Sequence, residues 1–463
     1  MTATSTIPAR APLGDNTAEG GFGLVSASAL VVGSVIGTGV FALPSALASY
    51  GPVSLVAFVL VTIGSVALAL TFRSLNARLP GSGGPYVYAR DAFGEFAGFL
   101  NAWSYWITAW AGNAAIVVAW VGYVEVFWNT DHSKVGSVAI ALVGLWAPAV
   151  VNLAGLRSIA AFQVVTTVLK FVPLLLVSVI GLFCMSRANF GEFNASGGSS
   201  WHAISAAGAI ALFSYLGIET ASVAAGRVRD PERNVGRATV LGTLACAVVY
   251  LVGTLAVFGT VPHAELLGST APFTDSANAI FGGSWAGKTV GAAAVVSGFG
   301  ALVGWTLIVA EMPQAAARDG VFPAVFLAES RRGVPAFGIV SSTVLASVLT
   351  VVSYTSFDQV FITVVLLSVL TSVIPYLFSA AAQVYWLTTK AHFGHPLHLA
   401  RDLTVGLTAL VFSFWALQGS GEQAVYYGVF GVLLGVPVYV WHKARKGEYG
   451  EVNALVLAEG VTR

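Results

Sequence analysis

Charged residues are scarce in this chain of 463 residues, at 9% of the total against about 25% in an ordinary soluble domain. Hydrophobic residues reach 56%, so a soluble globular protein is excluded. The formal net charge is only +1, which leaves no basic surplus for binding nucleic acid. The two cysteines, Cys184 and Cys246, lie in apolar runs without metal-ligand spacing. They argue against a disulfide scaffold or a zinc site and predict core packing.

Long apolar stretches follow one another along the whole chain, each about 20 residues long and so able to cross a ~30 Å hydrocarbon core. No alternating pattern of strand length recurs, which excludes a barrel. The sequence therefore predicts an all-α integral membrane protein with 12 transmembrane helices. The predicted spans, numbered 1 to 12, lie near residues 22–48, 52–74, 96–124, 136–154, 158–184, 203–226, 237–261, 288–316, 335–355, 359–387, 402–418 and 421–441.

Basic residues are unevenly distributed over the two sides of such a chain. The side that holds both termini carries eighteen Lys and Arg residues, and the opposite side carries only Lys134, Arg187 and Lys288. Because basic loops stay in the cytoplasm, we expect a cell-membrane protein with both termini cytoplasmic. Residues 1–21 and 442–463 are then cytoplasmic tails. No removable signal peptide is expected, since no small-residue cleavage pattern follows the first apolar run.

Two spans contain glycine and polar groups near the bilayer midplane. Span 1 has Gly33, Gly37 and Gly39 within seven residues, and span 6 places Gly217 close to Glu219. Each glycine weakens a helix by about 1 kcal/mol relative to alanine, so both helices are predicted to unwind. Close helix packing would explain either glycine segment by itself. Broken helices five spans apart favour instead a transporter built from an inverted repeat.

Four segments carry a family resemblance, and they follow in order along nearly the whole chain. They are 33–41 (GSVIGTGVF), 80–94 (PGSGGPYVYARDAFG), 213–226 (FSYLGIETASVAAG) and 230–239 (DPERNVGRAT). The chain resembles amino acid permeases of the amino acid-polyamine-organocation superfamily. Within it, the basic amino acid/polyamine antiporters, which include arginine/agmatine exchangers, are the subgroup that it resembles most.

The resemblance implies a LeuT-type fold. Helices 1 to 5 form one repeat over residues 22–184, and helices 6 to 10 form an inverted repeat over residues 203–387. Helices 1 and 6 are broken, and helices 11 and 12, over residues 402–441, lie outside the repeat. We therefore expect the substrate between the two breaks.

The resemblance also implies how the substrate is held. The unwound part of span 1 matches the segment that binds the substrate carboxylate, and carbonyl groups of both breaks match those that bind the α-ammonium. A free amino acid is the expected ligand, whereas the residues by themselves indicate only a polar site of zwitterion size. The substrate-binding residues implied are Val35, Gly37, Thr38, Gly39, Tyr105, Thr108, Ala109, Asn113, Phe213, Leu216, Trp305, Ser368 and Tyr376.

Span 3 offers a face for the substrate's side chain. Tyr105, Ala109, Asn113 and Ile116 are spaced by four, four and three residues, so they share one helical face, with Thr108 beside it. Taken alone, such a stripe is more often ordinary packing. The resemblance matches it to the pocket of the exchangers.

On span 8, Trp305 matches the ring that lies over the guanidinium of arginine, a contact worth roughly 0.5 to 2 kcal/mol. Without the resemblance, a lone tryptophan at mid-span is expected to face lipid or the core. The chain departs from the exchangers at Phe213, where they have a tryptophan.

Three ionisable residues lie within spans, where a buried charge is costly enough to indicate function. Glu219 matches the acid proposed to gate the exchangers or sense protons; a permanent hydrogen bond in the unwound segment is the alternative. Lys170 resembles instead the span 5 lysine of proton-coupled and neutral amino acid members of the superfamily. In those members the lysine ammonium occupies the place of a sodium ion. In this chain Lys170 either loses and regains its proton or stays charged. Glu311, expected in the cytoplasmic vestibule, either attracts cations or pairs with an arginine.

Together these features predict a secondary active transporter, an exchanger or proton-coupled carrier of basic amino acids and related cations, working by alternating access. The alternative is a proton-coupled transporter or exchanger of neutral amino acids, favoured by Lys170 and Phe213. An amino acid sensor without transport stays open. No enzyme, cofactor or metal is expected, because no nucleophile–base pair or ligand cluster stands out. The expected partners are the amino acid, protons and the lipid bilayer, and a homodimer stays open.

Overall fold

The computed structural model describes residues 23–37, 39–155, 159–356, 360–389 and 396–447. For residues 159–165, 167, 170, 227 and 396 it describes the backbone alone. Within these ranges the regular elements are helices, and the only strand-like pairing is an isolated bridge between Glu329 and Pro335. The predicted all-helical architecture is therefore confirmed.

Eighteen α-helices make up the described chain, with short 3-10 turns between some of them. They are α1 Leu24–Val35, α2 Gly39–Ala48, α3 Val53–Arg78, α4 Pro85–Phe93, α5 Glu95–Val124, α6 Lys134–Leu153, α7 Ile159–Phe183, α8 Ser200–Leu212, α9 Thr220–Val223, α10 Pro231–Thr260, α11 His263–Leu266, α12 Pro272–Phe281, α13 Trp285–Arg318, α14 Ala336–Ser356, α15 Val360–Thr389, α16 Pro396–Gly419, α17 Glu422–Leu433 and α18 Gly435–Lys446.

Nine helical segments among the described residues are long and apolar enough to cross a membrane, and α1 with α2 makes a tenth when the pair is one broken span. They coincide with predicted spans 1 to 4 and 7 to 12. Span 5 corresponds to α7, of which only Phe171–Phe183 counts as a shorter apolar helix. Span 6 is interrupted between α8 and α9. The count of twelve crossings and the inverted repeat remain predictions.

The helix α5 lies at the centre of the bundle. Its most apolar window is 89% buried, against 17% for the window that covers α17 and α18, so α5 is surrounded by protein while the last two helices are peripheral. It packs against α15, α13, α14 and α6. The central helix thus borders α2, α13 and α15, three of the elements that form the cavity described below.

The proline in α15 explains one polar contact of this core. Pro375 has no N–H, so the carbonyl of Thr371, four residues earlier, loses its helical donor. The hydroxyl of Ser104 on α5 donates to that carbonyl at 2.6 Å. A side chain of the neighbouring helix therefore satisfies the freed acceptor, as buried polar groups require.

Glycine lets large rings sit directly on helix backbones. A Cβ at Gly64 would lie 2.2 Å from the ring of Phe412, and one at Gly208 would lie 2.3 Å from that of Trp415. Both rings belong to α16, which is thereby held close to α3 and α8.

The two cysteines differ in their exposure. Cys246 is buried as expected, but Cys184 is exposed, so its predicted core packing is wrong. It follows the end of α7 and lies outside the helical core.

Candidate functional site

Both predicted breaks are present, and they touch. The helix α1 ends at Val35 and α2 begins at Gly39, while α8 ends at Leu212 and gives way to a 3-10 turn over Phe213–Tyr215. Gly217 then adopts φ +108°, and a Cβ there would lie 3.1 Å from atoms of both Ser34 and Trp305. Only glycine fits this close approach without strain, so it permits the two unwound segments to meet.

A small cavity lies at this meeting point. The walls come from α1, α2, α5, α13, α15 and the turn after α8, so both breaks contribute main-chain groups. The lining residues are Ser34, Val35, Gly37, Gly39, Val40, Thr108, Gly112, Ile116, Phe213, Ser214, Leu216, Trp305 and Ser368.

Eight predicted substrate residues therefore line one cavity. They are Val35, Gly37, Gly39, Thr108, Phe213, Leu216, Trp305 and Ser368. Tyr105, Ala109, Asn113 and Tyr376 are buried but are not among the lining residues. Thr38 lies outside the described residues. Whether any of them binds substrate remains a prediction, which the geometry now makes specific.

On α5 the cavity is lined by Thr108, Gly112 and Ile116, which are spaced by four residues. Ile116 belongs to the predicted stripe and Thr108 was expected beside it, whereas Tyr105, Ala109 and Asn113 are not among the lining residues. The hydroxyl of Ser368 on α15 donates to the carbonyl of Thr108 at 2.9 Å. Gly112 went unnoticed in the sequence because it has no side chain to add to a pattern.

The ring of Phe213 closes the cavity on one side. A Cβ at Gly39 would lie 2.2 Å from Cε1 of this ring, so the ring rests directly on the first turn of α2. Phe213 also contacts Phe361 edge to face, with ring centroids 6.1 Å apart. Phe361 in turn lines a larger cavity of about 1450 Å³, which we call the outer vestibule. The two phenyl rings thus separate the central cavity from the outer vestibule.

The indole of Trp305 forms another wall and is 5% exposed. Its Nε1–H donates to the carbonyl of Ser34 at 2.9 Å, which joins α13 to the last turn of α1. The predicted stacking ring therefore has its donor occupied. The hydrogen bond fixes the orientation of the ring at the cavity wall.

Glu219 lies directly after the second break and is 1% exposed. Its Oε2 accepts from the Tyr376 hydroxyl at 2.8 Å and from the N–H of Gly217 at 3.2 Å. Both interpretations of this acid, a proton site and a clamp on the unwound segment, are compatible with these contacts. The hydroxyl of Tyr105 is buried nearby, within electrostatic range of the same carboxylate.

The structure describes the other two ionisable residues, Glu311 and Lys170, in less detail. Glu311 is half-buried on α13, and its carboxylate is within electrostatic range of the Tyr105 hydroxyl, so it lies towards the same side of the cavity as Glu219. Lys170 belongs to α7 by its backbone, but its side chain lies outside what the structure describes. The roles proposed for both residues remain predictions.

On the side opposite the outer vestibule, which we call the inner side, α4 joins two parts of the bundle. The N–H of Gly83, just before α4, donates to the carbonyl of Val223 on α9 at 3.1 Å. On α4 itself, Arg90 pairs with Asp319 at 2.6 Å and Tyr86 donates to the same carboxylate at 2.8 Å. Burial raises the pKa of Tyr86, so its phenol stays protonated and remains a donor. No sequence pattern predicts this contact between residues 233 positions apart.

No group of three or more His, Cys, Asp or Glu side chains that could hold a metal ion occurs within the described ranges. The arrangement offers instead a closed, mostly apolar cavity with main-chain groups from two helix breaks. Such a cavity suits a small ligand that carries its own charges.

The sequence profile of the family described as amino acid permease matches residues 22–436. The chain belongs to this family, within the amino acid-polyamine-organocation superfamily. It is a multi-pass membrane transporter and not an enzyme.

Three relatives illustrate the similarity. A putative arginine/ornithine antiporter of Bacillus subtilis is 33% identical over 473 residues, covering 93% of this chain and 99% of the relative. The putrescine transporter PotE of Haemophilus influenzae is 31% identical over 419 residues, covering 90% and 96%. An arginine/agmatine antiporter of Chlamydia felis is 27% identical over 443 residues, covering 92% and 90%.

Proposed function

We propose that this permease exchanges basic amino acids or related organic cations across the cell membrane by alternating access. The observation that carries the proposal is the convergence of two broken helices and Trp305 on one small central cavity. The relatives support the substrate class, because their names include arginine, ornithine, agmatine and putrescine.

The main chain at the two breaks provides the groups for an amino acid headgroup. The helix α2 begins at Gly39, where its first N–H groups and the positive end of the helix dipole favour a carboxylate. The carbonyls of Val35 and Phe213 each accept one local N–H, from Gly37 at 2.9 Å and from Leu216 at 3.2 Å. Each oxygen keeps a second lone pair, with which it can accept from an α-ammonium group.

The cationic end of the substrate is assigned to the Trp305 side of the cavity. A guanidinium or ammonium over the indole face gains roughly 0.5 to 2 kcal/mol, the larger value when water is excluded. Thr108 and Ser368 add polar groups on the opposite wall. Because each of these hydroxyls already takes part in a hydrogen bond between α5 and α15 or within α5, they offer acceptor capacity rather than free donors.

Transport follows from the closures on both sides. We assign spans 1, 2, 6 and 7 to one moving unit and spans 3, 4, 8 and 9 to the other. Displacement of Phe213 from Gly39 opens the cavity to the outer vestibule, and rupture of the Asp319 contacts opens the inner side. Glu219, held by Tyr376, is placed to couple a proton to this motion, and Lys170 is the second candidate.

As part of this proposal, the chain crosses the cell membrane twelve times. Residues 22–184 and 203–387 form the two inverted repeats, and both termini face the cytoplasm, so the inner side is cytoplasmic. Eighteen basic residues on that side, against three on the other, support the orientation. A homodimer is compatible with the exposed apolar faces of α16 and α17.

Neutral amino acids are the second candidate, and one observation favours them. Among the residues that line the central cavity, as far as the structure describes it, none is acidic. A cationic side chain would therefore rely on aromatic and hydroxyl groups, whereas an aliphatic one would suit Val35, Val40 and Ile116 directly.

Uptake of labelled arginine into proteoliposomes tests the proposal. The vesicles are preloaded in turn with arginine, lysine, ornithine, agmatine, leucine or nothing, with and without a pH gradient. We expect cations inside to raise the initial rate severalfold over empty vesicles and leucine not to. No arginine uptake under any condition, together with uptake of labelled leucine, would establish the neutral substrate class; binding without any flux would indicate a sensor.

A further inference from the structure

In the function proposed above the outer vestibule is only the entrance to the central cavity, yet its wall carries one fixed carboxylate. The cavity, of about 1450 Å³, is lined by residues of α2, α5, the segment 267–270 and the start of α15. Among its lining residues are Glu125, at the end of α5, and His132 and Lys134, at the start of the next span. The route from the outer side to the central cavity therefore passes these charges before it reaches Phe361 and Phe213.

Glu125 is 6% exposed, and its orientation is fixed by three partners. Its Oε1 accepts from the amide of Asn129 at 2.8 Å and from the hydroxyl of Ser137, while its Oε2 contacts Nδ1 of His132 at 2.7 Å. Asn129 and His132 both have left-handed backbone conformations, φ 59° and 53°. The loop thus folds back on itself so that both side chains reach the carboxylate.

This arrangement leaves the carboxylate able to bind a further cation. A carboxylate has about four lone-pair sites, and three are used by the contacts above. The donors from Asn129 and Ser137 are neutral, so they orient the carboxylate without cancelling its negative charge. Only a protonated His132 would cancel it.

We propose that Glu125 is a capture site for organic cations in the outer vestibule. The assignment of the captured cation as substrate rests on the function proposed above; the electrostatic site itself does not.

Other charged and titratable groups face the same cavity, and their effects differ. Lys134 is exposed at the start of α6 and opposes the attraction, but its ammonium is in water and screened. Tyr354 on α14 lies within electrostatic range of Glu125 and is a neutral phenol. On the side of α12, the carboxyl of Asp275 accepts from Ser269, a lining residue, so that it faces the segment 267–270.

The potential of the vestibule is measured with a cysteine reporter, independently of transport. Ser45, which lines the vestibule, is changed to cysteine in a Cys184→Ser background, and Cys246 stays because it is buried. Rates of modification by trimethylammonium and sulfonate methanethiosulfonates are compared on the purified protein in nanodiscs. Their ratio cancels the reactivity of the thiol itself, including its own dependence on pH.

We expect Glu125→Gln to lower the cation-to-anion ratio by about two- to fourfold, as for one unit charge some 10 Å away in water. Lys134→Gln is the matched control of opposite sign and should raise the ratio. An unchanged ratio in Glu125→Gln would overturn the proposal.

Arginine uptake from the outer side gives the second measurement. If Glu125 captures substrate, Glu125→Gln should raise KM for arginine at least twofold at low ionic strength, and less at high salt, where screening removes the attraction. A changed reagent ratio with an unchanged KM would overturn the capture role. If the parent protein does not transport arginine at all, the function proposed above has failed, while the reagent ratio still decides on the cation site.

Discussion

The contact between Phe213 and Gly39 allows the strongest quantitative prediction. A methyl group added at Gly39 would lie 2.2 Å from Cε1 of the Phe213 ring, whereas ordinary contacts begin at 3.4 Å. The ring or the first turn of α2 must therefore move by about 1.2 Å, the difference between those two distances. Such overpacking costs about 1 to 3 kcal/mol. Since the ring closes the cavity, Gly39→Ala should destabilise the closed state and slow exchange roughly 5- to 150-fold.

The assay is a double-mutant cycle on initial exchange rates in proteoliposomes, with the thermal unfolding midpoint measured in parallel. Phe213→Ala removes the ring, so Gly39→Ala should have little further effect in that background, and the two changes should be strongly non-additive. Gly37→Ala is the matched control in the same break. Its methyl would lie 3.6 Å from Ile116 and should be additive with Phe213→Ala. Additive effects of Gly39→Ala and Phe213→Ala would refute the closure by this ring.

Three further predictions concern single side chains. Trp305→Phe keeps an aromatic ring but removes the donor to the main chain of span 1. Because one hydrogen bond is worth about 0.5 to 1.5 kcal/mol, substrate affinity should fall roughly 2- to 12-fold. An equal affinity in a binding assay would show that the bond is irrelevant. Glu219→Gln removes the buried carboxyl between the two moving units of the transporter. Exchange measured from about pH 5 to 8 should then lose its pH dependence. If the pH profile is retained, Glu219 has a structural role only. Burial raises the pKa of Asp275, so the folded protein favours the protonated form and loses stability as the pH rises past the ordinary carboxyl value of about 4. The thermal midpoint of Asp275→Asn should therefore exceed that of the parent protein at pH 7 and match it near pH 4, and a lower midpoint at pH 7 would contradict the argument.

The breaks could be predicted from the sequence because their cause is local. Three glycines within seven residues, and a glycine beside a glutamate in span 6, weaken those helices wherever they pack. The structure confirms that α1 ends at Val35 and that α8 ends at Leu212. The family resemblance then brought residues of five distant spans to one cavity, which periodicity alone cannot do.

The orientation of α5 about its axis could not be obtained in this way. Spacing shows which residues share a helical face, but the neighbouring helices decide which face meets the cavity. The hydroxyl contacts of Ser104 and Thr108 with α15 fix that orientation and turn Ile116 and Gly112 inward. Ala109, on the predicted stripe, is instead fully buried.

Contacts between distant segments were also beyond sequence reasoning. Nothing in the local sequence shows that Arg90 and Tyr86 reach Asp319. Glu125 and His132 are seven residues apart across a loop. Their meeting depends on left-handed residues in that loop, and histidine at such a position is uncommon.

Substrate protection of a cysteine in the central cavity tests the main claim most directly. Ile116→Cys in a Cys184→Ser background places a thiol among the lining residues, and its labelling by a small methanethiosulfonate is followed with increasing arginine. The exposed native Cys184 of the parent protein serves as a control that substrate should not protect. We predict at least tenfold slower labelling of Ile116→Cys at saturation (about 1.4 kcal/mol), half-maximal at the arginine concentration that half-saturates exchange. Labelling that no amino acid slows, in a protein that still exchanges arginine, would contradict the assignment of the cavity between the two broken helices as the transport site.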